Sequence, residues 1–158
     1  MKIQKKKLIF NEDKQVTVVM ESSKYYPGTD LSSPQKIADM FDQVFQITDQ
    51  PEEHFYLLCL DTKCKPLGVF EISHGTINLS FASTRSIFQR ALLVGAADII
   101  VAHNHPSGDV NPSRADIKTT EQIKEAGVLM DIPLLDHLII GKDERIHIYS
   151  FKEEGLVL

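Results

Sequence analysis

The apolar run Ile99-Ile100-Val101-Ala102 passes directly into His103-Asn104-His105-Pro106-Ser107-Gly108, and this junction restricts the fold more than any other stretch. A short, continuously apolar segment reads as a strand buried on both faces, which requires packed layers above and below it. Residues two apart in a strand point to the same side about 6.6 Å apart, so His103 and His105 can direct their imidazoles at one point. After the Pro-Ser-Gly turn, Pro112 opens a helix expected to run to Ala126 and to close at Gly127. Ser113 and Asp116 stand three apart in its first turn, hence on one face, where the helix N-terminus also favours a carboxylate. Two imidazoles and one carboxylate are three ligands of the kind zinc takes in catalytic sites, with water in the fourth position. Each piece alone persuades little, since a histidine at a strand end is usually satisfied or exposed and Ser-x-x-Asp is usually a cap. The order of the pieces points to a metal.

The remaining elements support an α/β domain with a mixed sheet layered between helices. Ser33 as N-cap and Pro34 at the first helical position precede Ile37, Met40, Phe41, Val44 and Phe45, an apolar stripe that predicts a helix over 34–46. Strands are expected at Phe55 to Leu60, Leu67 to Ser73, Thr76 to Phe81, Ile99 to His103, Leu134 to Ile140 and Ile146 to Tyr149. Thr84 is expected to cap a further helix with Ile87, Phe88, Ala91, Leu92 and Val94 on one face, ending near Gly95. Ahead of these, residues 1–30 read as a separate segment: a short hairpin from Leu8 to Phe10 and Val16 to Met20, then a connector holding Pro27-Gly28. Residues 31–158 form the main domain.

Composition removes several classes of function. With 158 residues, 42% of them hydrophobic and 25% charged, the chain fits one globular domain with a packed core. Seventeen Lys and Arg against 22 Asp and Glu leave a net charge of -5, the wrong sign for a protein that coats nucleic acid by phosphate neutralisation. The basic cluster Lys5 to Lys7 is expected to be a solvated tail. Cys59 and Cys64 are too few for a disulfide framework and are read as core thiols in a reducing compartment. No signal-peptide core and no membrane-length apolar run is present, so a cytoplasmic protein is expected.

His-x-His, seven residues, then Ser-x-x-Asp resembles the JAMM motif of JAB/MPN-domain metallopeptidases. More narrowly, His-Asn-His-Pro-Ser-Gly followed by Pro-Ser-x-x-Asp, with Leu135-Asp136-His137 and Ser150-Phe151 downstream, is similar to the RadC family over roughly residues 31–158. The resemblance implies a single JAB/MPN domain of the cytidine-deaminase-like type, although the deaminase pattern itself, His-x-Glu with Pro-Cys-x-x-Cys, does not occur. Members of the family often carry a helix-hairpin-helix region before this domain, and here the bare catalytic-type module is expected.

The resemblance also implies roles. His103, His105 and Asp116 would bind Zn2+. The family's catalytic acid stands four residues before a Gly-Thr pair, which is Glu71 in Phe70-Glu71-Ile72-Ser73-His74-Gly75-Thr76. Strand alternation places Glu71 with Leu67, Val69 and Ser73, a weakly polar row where a carboxylate needs a reason. Glu71 would take a proton from the zinc-activated water, and Ser113 would donate a hydrogen bond to the oxyanion. The implied function is hydrolysis of a peptide or isopeptide bond in a peptide or protein-conjugate substrate. The alternative is an accessory, non-catalytic protein of DNA repair or mobile elements, a reading the charge does not support. Asp136 and His137 are left outside the site.

Overall fold

Strand β5 (Asp98–Asn104) lies near the middle of a sheet that has seven strands among the described residues, and the strands on both sides of it are, like it, largely buried. The computed structural model describes residues 1–75 and 83–157. Before β5 come β1 (Lys2–Phe10), β2 (Val16–Tyr25), helix α1 (Pro34–Phe45), a 3-10 turn at Ile47–Asp49, β3 (His54–Leu60), β4 (Pro66–His74) and helix α2 (Thr84–Leu93). After it come helix α3 (Arg114–Met130), β6 (Leu134–Lys142) and β7 (Ile146–Ser150). The sheet order is β2-β1-β4-β3-β5-β6-β7, with β1·β4 and β5·β6 parallel and the other pairs antiparallel. The expected strand Thr76 to Phe81 lies outside the described residues.

Alternation along the central strands sends side chains into two cores. Phe55, Leu57 and Cys59 of β3 join Ile99 and Val101 of β5 beneath Ile87, Phe88 and Ala91 of α2 and Ile123 of α3. Tyr56, Leu58 and Leu60 join Ile100 and Ala102 on the opposite face, beneath Met40, Phe41 and Val44 of α1. Each buried Val, Leu, Ile, Met or Phe among them contributes about 1.5–3 kcal/mol, an upper figure because the unfolded chain already buries part of that surface. The result is a single α/β domain: a mixed sheet between layers of helix. No described helix is long and apolar enough to cross a membrane.

Several boundaries differ from the expectations. Residues 1–30 form no separate unit, because the β1–β2 hairpin continues the main sheet through the parallel pairing of Lys5 with Val69. Lys5 to Lys7 therefore lie in strand β1 and not in a tail. Helix α2 takes Ser83, not Thr84, as its N-cap. Helix α3 begins at Arg114 and runs through Gly127 to Met130, with Asp131 as the left-handed C-cap at φ 54°. Gly127 serves packing: a Cβ there would stand 2.7 Å from the Ile132 carbonyl oxygen, so only hydrogen lets the chain fold back. Cys59 is buried as expected, whereas Cys64 is exposed in the β3–β4 turn with φ 56°.

The loop after β5 is fixed by a second close approach. A Cβ on Gly141 of β6 would meet the Gly108 carbonyl oxygen at 2.5 Å and Val110 Cγ1 at 2.8 Å, so the loop lies directly on the strand. His147 of β7 donates to the same Gly108 oxygen from Nε2 at 2.6 Å. Gly141→Ala is expected to cost about 1–3 kcal/mol through overpacking and to displace the loop that carries His105. A lower melting temperature together with weaker zinc binding is the expected result, measured by thermal unfolding and chelator competition.

Candidate metal centre and its pocket

The two histidines and the aspartate converge because three elements end at one place. His103 pairs across the sheet with Phe55 and faces the α2–α3 layer, following Val101 by strand alternation. His105 follows as the chain leaves β5, its N–H held by the Ile140 carbonyl at 3.0 Å. Ser113 caps α3: its Oγ accepts from the Asp116 N–H at 3.1 Å, while Asp116 Oδ2 accepts from the Ser113 N–H at 2.6 Å. This capping box fixes the Asp116 rotamer and aims its second oxygen at the histidines. His103 Nε2 lies 3.1 Å from His105 Nε2 and 3.3 Å from Asp116 Oδ1, and His105 Nε2 lies 3.7 Å from Asp116 Oδ2. Ligand atoms of a tetrahedral zinc stand roughly 3.3 Å apart, so the spacing fits.

Hydrogen bonding on the far side of each ring supplies the chemical test of that fit. His105 Nδ1 lies 2.6 Å from the Asp109 carbonyl oxygen, which can only accept, so Nδ1 carries the proton and Nε2 is bare. His103 Nδ1 contacts His137 Nε2 at 2.8 Å, and His137 Nδ1 contacts Thr120 Oγ1 at 2.6 Å. Asp116 Oδ1 is buried with no hydrogen-bond partner among the described residues. A ring nitrogen facing a buried, donorless carboxylate oxygen is a donor set that suits a cation, and the residue types present fit zinc.

Buried charge sets the proton affinities. Burial opposes ionisation of Asp116, but contacts from His103, His105 and Ser113 outweigh it and hold the carboxyl well below the carboxylate range. Burial pushes His103 below the ordinary imidazole value, against the pull of Asp116. His105, less buried, is raised by its contact with Asp116. His137 is lowered far by burial and by the neighbouring His103. The neutral imidazoles that metal binding needs are therefore favoured at His103 and contested by a proton at His105.

A cavity of about 580 Å³ opens beside the cluster, lined by Glu52, Glu53, Gly75, His105, Ser113 and Asp116 among others. Two glutamates line this cavity beside Asp116, Glu52 and Glu53. Glu53, immediately before β3, is the one whose negative charge acts on both His103 and His105. Its carboxylate has no hydrogen-bond partner among the described residues. Asn104, pointing the opposite way from His103, secures this segment. Its Oδ1 accepts from the His54 N–H at 2.7 Å, and its Nδ2 donates to the Glu52 carbonyl at 2.9 Å.

Glu71, expected as the catalytic acid, is not brought to the cluster. It pairs with Tyr56, whose side chain lies in the α1 core on the other face of the sheet. The expected row of Leu67, Val69, Glu71 and Ser73 is broken by register shifts at Phe55/Tyr56 and Cys59/Leu60. These turn Leu67 toward the α2–α3 core and set Ser73 opposite Phe55, leaving only Val69 with Glu71. Glu71 instead accepts from Lys5 Nζ at 2.7 Å and bonds His54 Nδ1 at 2.6 Å. Burial disfavours its charge, yet Lys5 and His54 together keep its carboxyl below the ordinary range. Lys5 also lies 3.2 Å from Glu21, and Lys7 lies 3.6 Å from it, so the basic cluster is partly neutralised within the fold.

His137, left outside the site by the sequence reading, touches a ligand directly, whereas Asp136 does not. Asp136 Oδ2 accepts from Ser150 Oγ at 2.6 Å, and Oδ1 accepts from the His137 and Lys152 N–H groups at 2.8 and 3.0 Å. Burial raises its proton affinity, and these bonds oppose that. Asp136 thus ties the C-terminal segment to β6.

Residues 31–156 match the RadC-like JAB domain family model. A UPF0758 protein of Chlorobium chlorochromatii is 40% identical over 146 residues, covering 90% of this chain and 64% of the relative. UPF0758 proteins of Methanosarcina barkeri and Pelobacter propionicus are 44% identical over 112 residues and 39% over 127, covering 71% and 80% of this chain and 48% and 53% of theirs. The chain spans about half to two thirds of the length of these curated relatives, whose names specify no activity. With that match over most of its length, the chain belongs to the RadC-like JAB domain family.

Proposed function

We propose that this domain is a zinc-dependent hydrolase cleaving a peptide or isopeptide amide bond. The observation that carries the reading is the convergence, in one cavity, of a three-ligand cation cluster with the Glu53 carboxylate and the Ser113 hydroxyl. Zinc held by His103, His105 and Asp116 would lower the pKa of a water molecule to about 7 and make a nucleophile available at neutral pH. Glu53, in place of Glu71, would act as the general base, taking up the proton of the attacking water and passing it to the departing amine. Ser113 Oγ is occupied only as an acceptor in the cap, so its own proton is free to reach the carbonyl oxygen as that oxygen gains charge. Asn104 keeps Glu53 within reach by bracing the segment on either side of it.

The test is incubation of zinc-loaded protein with peptide and isopeptide libraries, with products identified by mass spectrometry. A defined cleaved amide is expected. The absence of any cleavage at full zinc occupancy would overturn the hydrolase reading while leaving the metal centre intact.

The accessory DNA-repair alternative draws little support from the basic cluster, because Glu21 and Glu71 pair with Lys5 and Lys7. With a net charge of -5, duplex binding is expected to be weak, to show a shallow dependence on salt and to vanish at physiological ionic strength. Nanomolar binding in a salt titration at physiological ionic strength would reverse the order of the two readings.

A further inference from the structure

The contacts behind His103 form a closed path through three elements. The Asp116 carbonyl, on the residue that supplies the carboxylate ligand, lies 2.7 Å from Thr120 Oγ1. A carbonyl oxygen can only accept, so the single hydroxyl proton of Thr120 points at Asp116. Thr120 Oγ1 must therefore accept from His137 Nδ1, which lies 2.6 Å away and carries the proton. His137 is fully buried, with its ring stacked on Phe151 at 4.8 Å and edge-on to Phe55 at 5.6 Å. The hydrogen-bonding partners of its ring among the described residues are His103 and Thr120, while the Asp136 carboxylate meets only its backbone N–H. With the ring proton directed from Nδ1 to Thr120, His137 presents Nε2 as the acceptor for His103 Nδ1–H at 2.8 Å.

We infer that Thr120 and His137 are positioning residues that set the tautomer of His103, placing its proton on Nδ1 and its lone pair on Nε2 toward the cation site. The path starts at the backbone of one ligand residue and ends on the ring of another. Helix α3 and strand β5 are therefore held in register by one directional set of protons running through β6. The orientation is decided at Thr120: without its hydroxyl, His137 has no acceptor for Nδ1–H. Its proton then moves to Nε2 and faces His103, which must carry its own proton on Nε2, pointing into the metal position. The inference rests on the metal-centre part of the proposed function and not on hydrolysis.

The experiment uses the whole chain, metal-free and zinc-loaded. Nitrogen-15 NMR of the metal-free protein reads the tautomer of each histidine, and competition with a chromophoric chelator reads zinc affinity. In the unaltered protein, His103 and His137 are both expected as Nδ1–H tautomers. Thr120→Val keeps the branched shape and removes the hydroxyl. It is expected to convert both rings to Nε2–H and to weaken zinc binding about 10–100-fold, the usual effect of losing a ligand's hydrogen-bonded support. Thr120→Ser should restore the Nδ1–H tautomers and the affinity, whereas a packing role would leave Ser no better than Val. His137→Phe should weaken zinc to a similar extent with the ring volume retained. An Nε2–H tautomer for His103 in the unaltered metal-free protein would overturn the inference even if zinc binds. So would Thr120→Val with unchanged tautomers.

Discussion

Glu53→Gln is expected to lower turnover about 10²–10⁴-fold, the usual contribution of general acid–base catalysis, with zinc content and melting temperature nearly unchanged. Glutamine keeps the size and hydrogen-bonding atoms of Glu53 but cannot take up a proton. Glu53 is not among the three clustered ligand residues, so the metal should stay. The paired substitution Glu71→Gln separates the two carboxylates. Glu71 holds Lys5 and His54 on the opposite sheet face, so its loss should cost stability, about 1–3 kcal/mol for hydrogen bonds to a charged group, with turnover within a few-fold of the parent. The comparison uses steady-state rates on a substrate from the library screen, elemental analysis for zinc and thermal unfolding for stability. Full activity in Glu53→Gln with a large loss in Glu71→Gln would return the catalytic role to Glu71.

Zinc should bind at about one ion per chain and stabilise the fold measurably. At a free concentration a hundred times its Kd, a ligand specific to the native state adds about 2.7 kcal/mol. In a domain of this size that corresponds to roughly 5–11 °C in melting temperature. A chelator should reverse the shift, and the His103→Ala and His105→Ala double variant should show neither zinc retention nor the shift. Protons compete for the same nitrogens, so affinity should fall as pH drops through the imidazole range near roughly 6.5. The fall should begin above that value, because contact with Asp116 raises the proton affinity of His105. Titration calorimetry at several pH values measures this. Full zinc occupancy in the double variant would rule out the cluster as the binding site.

The sequence reveals the cluster of His103, His105 and Asp116 because all three come from one strand–turn–helix segment, where local spacing decides geometry. Glu53 is different: its place depends on β3 lying antiparallel to β5 with Phe55 opposite His103, a long-range register no local pattern carries. Simple alternation misplaces Glu71 because two register shifts in the β3–β4 pairing interrupt the period of two on which that reasoning depends. His137 reaches His103 only through the parallel pairing of β5 with β6, in which Val101 lies opposite His137. Gly127 reads as a helix stop because glycine often is one. Here the constraint is the returning Ile132–Leu134 backbone, a contact that becomes visible only once the helix has docked. The buried strands and amphipathic helices needed no such long-range knowledge, and their types follow the sequence closely.

The capping box at the start of α3 has a consequence for how a metal would be acquired. Asp116 is oriented by the helix it caps, and His103 by its place in the sheet, so both are in position once the backbone has folded. A small zinc finger, by contrast, has no folded state without its ion. On the zinc reading, loading would come after synthesis, from whatever exchangeable pool the compartment offers, and folding would not wait on the metal. Scarcity would then leave a population of folded, idle molecules that can be revived by supply alone, without new translation.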